Sequence, residues 1–329
     1  MLPITIAGLG SYLPAHVFTS TELELELNLS PGWIEQTTGV RERRYALGET
    51  SVSMAVVAAQ RALAAAGRTL ADLDLIIGAS SGPQQAIPCT AALVQHALGA
   101  PDGGSACFDV NATYLSFLTA LHNAAHLIAA GAARCALIFS SEISTHSRNP
   151  AEPESAVLFG DAAAAAVLTR ATPAAPGTLW GGKFVTYGSG AKLTSIPGGG
   201  TLHHPNDPTT TPEMNRFHMH GSGLLRIAAR TLGPFLDSFF ADLGWARAEL
   251  ELLVPHQASR NGLGLLTARL GFTPAQVFLN LAERGNYVAA SIPLALAEAV
   301  DQGRLRRGDR VMLLDTGAGM SIGALALSY

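Results

Sequence analysis

The two halves of the sequence repeat the same order of predicted elements, and this repeat constrains the fold more than any other feature. In the first half a helix precedes the apolar segment ADLDLIIGASS, and RCALIFSSE and GDAAAAAVLTR follow later. The second half runs in the same order through AELELLVPHQAS, RVMLLDTGAG and SIGALALSY. The Ala/Pro/Gly-rich stretch Ala171–Gly177 separates the two halves. We therefore predict two similar halves, residues 1–170 and 171–329, with a shared cleft between them.

Short runs rich in leucine and β-branched residues alternate with alanine-rich helical patterns. This alternation predicts an α/β fold with buried, mostly parallel strands. The predicted strands are Ile4–Gly8, Leu73–Gly78, Ala106–Val110, Cys135–Ser140, Ala162–Leu168, Leu250–Pro255, Arg310–Asp315 and Ala324–Ser328. The predicted helices are Val52–Ala66, Ala91–Leu98, Thr113–Ala130, Gly223–Leu243, Ser259–Leu270 and Ile292–Asp301.

Charge and hydropathy exclude two classes of partner. The formal net charge is -4 and the 21 Lys and Arg residues are scattered, so we expect no nucleic-acid partner. No run of eighteen or more uncharged apolar residues occurs, and the N-terminal segment has no basic leader. We therefore expect a cytoplasmic protein with no membrane association.

Cysteine and histidine spacing indicates neither a disulfide framework nor a metal site. The three cysteines are an odd number without CxxC spacing, so we interpret them as reduced core residues. His203-His204 and the pair His218 and His220 are not completed by carboxylates or cysteines at metal-ligand spacing. We predict no metal and no cofactor.

Two polar residues stand where a predicted strand or loop gives way to a helix. His256 follows a buried strand, at the carboxyl end where open α/β sheets place ligand contacts. Asn286 lies in a glycine-preceded loop before a helix, where its carboxamide could donate to an oxyanion. Each residue also has a simpler interpretation, since a histidine here can be a packing residue and an asparagine can satisfy a turn.

A third candidate is the junction around Tyr114, where a predicted strand runs directly into a long helix. Side chains at such a junction feel the positive end of the helix and its unpaired N–H groups. A thiol there would have a lowered pKa and would be a good nucleophile. The residue present is a phenol.

These segments occur together in the ketoacyl-acyl-carrier-protein synthase III family, and the chain resembles that family over essentially its whole length. The most specific matches are PHQA at residues 255–258 and GNYVAASIP at 285–293. Trp33-Ile34, TGVRER at 38–43 and Phe159-Gly160-Asp161 also resemble the family. The resemblance implies the thiolase fold, five layers in the order α-β-α-β-α built from two similar halves, normally as a homodimer.

In that family a cysteine at the head of the long helix takes an acyl group from coenzyme A. A His and an Asn then assist decarboxylation of a malonyl thioester on acyl carrier protein. By resemblance His256 and Asn286 match these two residues, and backbone near Gly319 completes the oxyanion hole. The cysteine position holds Tyr114, whose phenol has an ordinary pKa of about 10. The resemblance therefore predicts altered or non-covalent acyl priming.

Other substrate positions depart from the family as well. Trp33 matches the tryptophan that holds the adenine end of coenzyme A, but the two arginines that share this role fall at Thr37 and Pro153. Ile87 matches a phenylalanine that crosses the dimer interface into the neighbour's acyl tunnel, and the smaller residue is expected to admit a longer acyl group. Arg260 lies near the second-half site, where the family docks its acidic carrier protein.

Three interpretations stay open at this point. The first is an acyltransferase that uses acyl-CoA or malonyl thioesters with acyl carrier protein, without an acyl-enzyme. The second is a non-catalytic subunit in a heterodimer with a cysteine-bearing homologous synthase. The third is that the natural protein has cysteine at position 114 and the present sequence is a replacement variant. The retained His256 and Asn286 favour the first.

Overall fold

The computed structural model describes residues 1–257, 260, 263–264 and 270–329. Its strands are β1 (Ile4–Tyr12), β2 (His16–Thr19), β3 (Glu42–Tyr45), β4 (Leu75–Gly78), β5 (Ala106–Asp109), β6 (Cys135–Ile143), β7 (Asp161–Arg170), β8 (Thr178–Thr186), β9 (Thr194–Ser195), β10 (His218–Met219), β11 (Leu252–Pro255), β12 (Arg310–Gly317) and β13 (Ser321–Ser328). Its helices are α1 (Ser20–Glu26), α2 (Trp33–Thr38), α3 (Ser51–Ala66), α4 (Thr90–Leu98), α5 (Ser116–Ala129), α6 (Pro153–Ala156), α7 (Gly221–Leu243), α8 (Leu281–Arg284) and α9 (Ser291–Asp301). Within the described residues, no helix has the length and hydropathy of a membrane span. Most of the predicted helix Ser259–Leu270 lies outside the described residues.

Two sheets of matching strand order form the body of the fold. The first has the order β1-β7-β6-β4-β5 and the second has the order β8-β13-β12-β11. A single parallel bridge between Leu253 and Val277 extends the second sheet at the edge that β5 occupies in the first. By direction the strands are mostly parallel, as expected, since four of the five strands in the first sheet and three of the four in the second run the same way. In each sheet the strand next to the edge, β7 or β13, runs antiparallel to both of its neighbours.

Five layers stack in the order α-β-α-β-α, which confirms the predicted fold class. Helix α3 packs on the outer face of the first sheet, and α7 covers the outer face of the second. Helices α5 and α9 lie between the two sheets, where a single apolar cluster takes residues from both sheets and from both helices. The two middle helices are therefore shared by the two halves of the fold.

Small residues allow the first sheet to approach α3 closely. Strand β7 contains five consecutive alanines, all fully buried. On β1, a Cβ added to Gly8 would lie 2.4 Å from the carbonyl oxygen of Ala62, and one added to Gly10 would lie 2.3 Å from that of Ala58. Because both obstacles are helix backbone, no side-chain rotation can relieve the contact.

Gly10→Val is expected to lower the free energy of unfolding by about 3 kcal/mol or more, since it forces β1 away from α3. Gly48→Val is the matched control, because Gly48 is exposed and a Cβ there meets no atom within 4 Å. Urea unfolding of both variants measures the difference. Equal midpoints for the two variants would refute the close-packing explanation.

Candidate active site

Tyr114 lies in a 3-10 turn, Thr113–Leu115, that separates β5 from α5. The predicted start of the helix at Thr113 was wrong by three residues, because Thr113 has a φ of +54° that an α-helix cannot contain. The Oδ1 atom of Asn111 fixes this turn by accepting the Thr113 N–H at 2.9 Å. The Ala112 N–H donates to the hydroxyl of Ser116 at 3.0 Å. Tyr114 is therefore held just ahead of the helix.

The same turn occurs at the matching place in the second half. The Oδ1 atom of Asn286 accepts the Val288 N–H at 2.8 Å, and the Tyr287 N–H donates to the hydroxyl of Ser291 at 2.9 Å. Val288 has a φ of +49° and begins a 3-10 turn that leads into α9. The sequence carries this repeat as an Asn followed five residues later by a Ser in both segments, a pattern that the sequence analysis missed.

Asn286 is held with its amide group pointing at Tyr114. Its backbone N–H donates to the Leu158 carbonyl and its own carbonyl accepts from the Gly160 N–H. Because its side-chain oxygen is occupied by the Val288 N–H, the NH₂ group is the free end. This group is within hydrogen-bonding reach of the Tyr114 hydroxyl, where it favours the phenolate and opposes the effect of burial on the Tyr114 pKa.

His256 directly follows β11 and contacts Tyr114 from another side. Its backbone N–H donates to the carbonyl of Leu314 at 2.8 Å, continuing the parallel pairing of β11 with β12. Its imidazole meets the Tyr114 ring edge-on, with 4.9 Å between the ring centroids. The side chain is 4% exposed, and burial lowers the pKa of His256 to about 4. The structure thus brings together Tyr114, His256 and Asn286, as the sequence predicted.

A cavity of about 620 Å³ opens beside Tyr114. One wall is apolar and consists of Tyr114, Phe159, Phe217, Val288 and Ala318, and the opposite wall carries polar groups. Among the described residues, neither His256 nor Asn286 lines this cavity. The Tyr114 ring stands between the cavity and the two polar residues.

Burial and nearby carboxyl groups keep Tyr114 protonated. The pKa of its phenol is raised by desolvation first, and then by Asp315 and Glu142. The Glu142 carboxyl is itself buried, which raises its pKa to about 7, and it accepts hydrogen bonds from the backbone and hydroxyl of Ser81 at 2.6 Å. At neutral pH the side chain in the nucleophile position is therefore a neutral phenol.

The glycine loop between β12 and β13 packs against the Tyr114 turn. A Cβ on Gly317 would lie 2.5 Å from Cδ1 of Leu115, so a larger residue there would require the Leu115 side chain to move. Ala318 reaches the cavity wall, whereas Gly319 occupies the tip of the loop at a φ of +79°. Any backbone contribution from this loop to the cavity therefore comes from Ala318 more directly than from Gly319.

The remaining predicted site residues lie away from this cluster. Trp33 begins α2 and packs in a small apolar cluster, and Arg260 is exposed and lies over Gly39 at the end of the same helix. Ile87 is 84% exposed. Cys107 lies within β5, paired with Ile76, and is not among the described residues that line the cavity.

Asp315 is a buried neighbour of His256 that the sequence patterns did not single out. Its carboxylate Oδ1 lies 3.9 Å from Nδ1 of His256, and its side chain is 1% exposed. The sequence indicated only that Asp315 opens a glycine loop. Asp315 follows directly after Leu314, the last residue of β12 that pairs with β11. A polar residue at this place in a buried strand was the one available sign that it faces His256.

Comparison with known proteins agrees with this geometry. Family models for 3-oxoacyl-[acyl-carrier-protein] synthase III match residues 108–188, and models for its C-terminal part match residues 240–329. The β-ketoacyl-[acyl-carrier-protein] synthase III of Symbiobacterium thermophilum is 37% identical over 329 residues, covering 99% of this chain and 98% of the relative. The chain belongs to the ketoacyl-acyl-carrier-protein synthase III family.

Further relatives and solved structures are similar along their full length. A Streptomyces coelicolor synthase III is 36% identical and covers 98% of this chain and 96% of the relative. The crystal structure of the Aquifex aeolicus synthase III superposes with a TM-score of 0.89 at 34% identity, over 99% of this chain and all of that one. Xanthomonas campestris OleA, solved with bound lauric acid and lauroyl-CoA, superposes with a TM-score of 0.88 at 25% identity, over 99% of both chains.

Proposed function

We propose that this chain is a condensing-type acyltransferase that acts on acyl and malonyl thioesters without forming an acyl-enzyme. The observation that carries the proposal is the convergence of His256 and Asn286 on Tyr114, in a chain whose relatives are synthase III enzymes. The decarboxylating residues are retained, whereas the nucleophile position holds a buried, protonated phenol.

Two hydrogen-bond donors can stabilise an enolate at this place. The NH₂ group of Asn286 can donate to the enolate in place of the Tyr114 hydroxyl that it faces, and Nε2–H of His256 supplies the second donor when the imidazole is neutral in that tautomer. Loss of CO₂ from a malonyl thioester breaks the bond to the carboxylate carbon and leaves the electron pair on the thioester enolate. The two donors meet the charge that develops on the enolate oxygen.

The enolate then attacks the acyl-CoA carbonyl directly. A carbon–carbon bond forms, the carbon–sulfur bond of the acyl-CoA breaks, and coenzyme A leaves as its thiolate. The product is a β-ketoacyl thioester. Because no covalent intermediate forms, both substrates must be bound together, which gives ternary-complex kinetics in place of a ping-pong pattern.

We propose that three residues outside the cluster of Tyr114, His256 and Asn286 contact the substrates or a partner subunit. Trp33 lies at the start of α2 and is proposed to hold the nucleotide end of coenzyme A, and the exposed Arg260, which lies over Gly39 at the other end of α2, is proposed to bind an acidic carrier protein. The exposed Ile87 is proposed to cross a dimer interface, in a homodimer or in a heterodimer with a homologous synthase. Lauroyl-CoA bound to the related OleA supports a long acyl chain.

One observation favours a second candidate function. The Tyr114 ring screens His256 and Asn286 from the cavity in this conformation. That arrangement also suits a non-catalytic subunit that shapes the tunnel of a cysteine-bearing partner. The two functions differ in whether the purified chain alone releases CO₂.

Incubation of the purified protein with malonyl and acyl thioesters, on coenzyme A and on carrier protein, tests the proposal. We expect CO₂ release and an unchanged intact mass, because a buried neutral phenol does not take up the acyl group. A stable acyl adduct on Tyr114 would contradict direct transfer. Absence of CO₂ release by the chain alone, together with a stable complex with a cysteine-bearing homologue, would support the subunit function.

A further inference from the structure

Asp315 and His256 form a buried pair in which two facing atoms have no hydrogen-bond partner among the described residues. Nδ1 of His256 and Oδ1 of Asp315 are both buried without a hydrogen bond, and they lie 3.9 Å apart. The side chains are 4% and 1% exposed. Buried polar atoms are almost always hydrogen-bonded, so two facing orphan atoms need a common explanation.

Strand pairing explains why these two residues face each other. The backbone N–H of His256 donates to the carbonyl of Leu314, which places Asp315 beside His256 across the β11–β12 pair. In the first half, Ala79 donates in the same way to Phe139, and the next residue, Ser140, donates its hydroxyl to the Ala79 carbonyl at 2.5 Å. The matching position thus carries a satisfied serine in one half and a carboxyl with an unsatisfied Oδ1 in the other.

We infer that Asp315 is a positioning residue that shares one proton with Nδ1 of His256 and so keeps the proton of the other ring nitrogen, Nε2, available as a donor. A rotation of either side chain that shortens the gap by about 1 Å completes the hydrogen bond. Hydrogen bonds of this kind are often long before substrate binds. This inference rests on the proposed function for its use of Nε2–H, but the pair itself can be tested without turnover.

The charge balance of the pair determines where the proton lies. Among the described residues, no lysine or arginine pairs with Asp315, so a lone carboxylate at this depth would be an uncompensated charge. Burial raises the pKa of Asp315 well above its usual range and lowers that of His256. A pair that holds one proton between Oδ1 and Nδ1 is neutral overall, and in either location of that proton Nε2 keeps its own.

A donor at Nε2 suits decarboxylation better than a base does. The enolate oxygen needs hydrogen-bond donors, and the Asn286 amide is the other donor at this place. Asp315 therefore acts through His256 and touches no substrate. Its removal is expected to weaken the stabilisation of the enolate and not the binding of the thioester.

Two substitutions at position 315 separate positioning from structural support. Asp315→Leu removes a buried carboxyl whose Oδ1 is unsatisfied and keeps the number and branching of the side-chain heavy atoms, so the variant is expected to melt no lower than the wild type. Its kcat for decarboxylation is nevertheless expected to fall by about 10²-fold. Asp315→Asn can still donate to Nδ1 and is expected to stay within about tenfold of wild type. Asp242→Leu, which removes an exposed carboxylate, is the matched control.

The pair itself is tested by NMR of the ¹⁵N-histidine-labelled full chain. We expect one imidazole with a strongly hydrogen-bonded Nδ1 and a deshielded proton, absent from His256→Gln and from Asp315→Leu. A wild-type His256 with a free Nδ1, or an Asp315→Leu variant with wild-type kcat, would overturn the inference. If the wild type releases no CO₂, the proposed function fails, and the NMR result still decides the inference about Asp315.

Discussion

Replacing Tyr114 by cysteine is expected to give the chain the acyl-loading step that it lacks. The thiol would stand just ahead of α5, beside the Asn286 amide and His256, where the helix end favours a thiolate. Incubation with acyl-CoA should then add one acyl group per chain, detected by intact mass and located at position 114 by peptide mapping. Two-substrate kinetics should change to a ping-pong pattern.

The control substitution introduces a residue of about the same size as cysteine that lacks the thiol. Tyr114→Ser opens the same space beside the cavity but leaves a weak nucleophile, so it should remain unlabelled. Both variants lose the buried ring and are expected to lose about 3 kcal/mol of stability. If Tyr114→Cys folds as Tyr114→Ser does and still takes up no acyl group, then the rest of the acyl-loading site has also been lost.

His256→Ala is expected to lower the rate of malonyl thioester decarboxylation by about 10²-fold or more, since it removes one of two donors to the enolate. The pKa of His256 is lowered to about 4, so its imidazole is neutral at physiological pH. The rate should therefore be nearly flat above about pH 5 as far as this group is concerned. Release of ¹⁴CO₂ from carboxyl-labelled malonyl thioester measures the change.

His126→Ala is the comparison for His256→Ala. His126 lies on α5 and, unlike His256, is exposed and outside the Tyr114 cluster. The rate for this variant should equal that of the wild type. Equal rates for both alanine variants and the wild type would mean that CO₂ release does not depend on His256, and the non-catalytic subunit would then be the better explanation.

The sequence predicted the class of the fold because its strongest patterns are apolar and buried. The apolar runs that end at Gly78 and Pro255 are short and rich in Leu, Ile and Val, which favours strands. The alanine segment from Asp161 has a strong helix propensity, and its assignment as a strand depended on its place in the repeat. Strand β8 was missed because Gly181, Gly182 and a lysine interrupt its apolar pattern. Strands β2 and β3 were missed because each is only four residues long, and β3 is mostly charged.

The residues of the candidate site could be predicted only where they belong to the motifs of the family. The proximity of Tyr114 to His256 and Asn286 followed from the family resemblance, since they are distant in sequence. The contact of Asp315 with His256 depends on strand register, which hydrophobic pattern alone cannot fix to one residue at the end of a short parallel strand. The screening of His256 by the Tyr114 ring depends on side-chain packing, which sequence patterns do not define.

The two similar turns at Thr113 and Val288 make the geometry of the candidate site depend on the folding of the whole chain. Both are β-branched residues in the left-handed region, a conformation that costs on the order of 1–2 kcal/mol each. The packing of α5 and α9 between both sheets offsets that cost. Because both helices belong to the apolar cluster that the two sheets share, we expect Tyr114 and Asn286 to leave the site in a single cooperative step when the chain unfolds from either end.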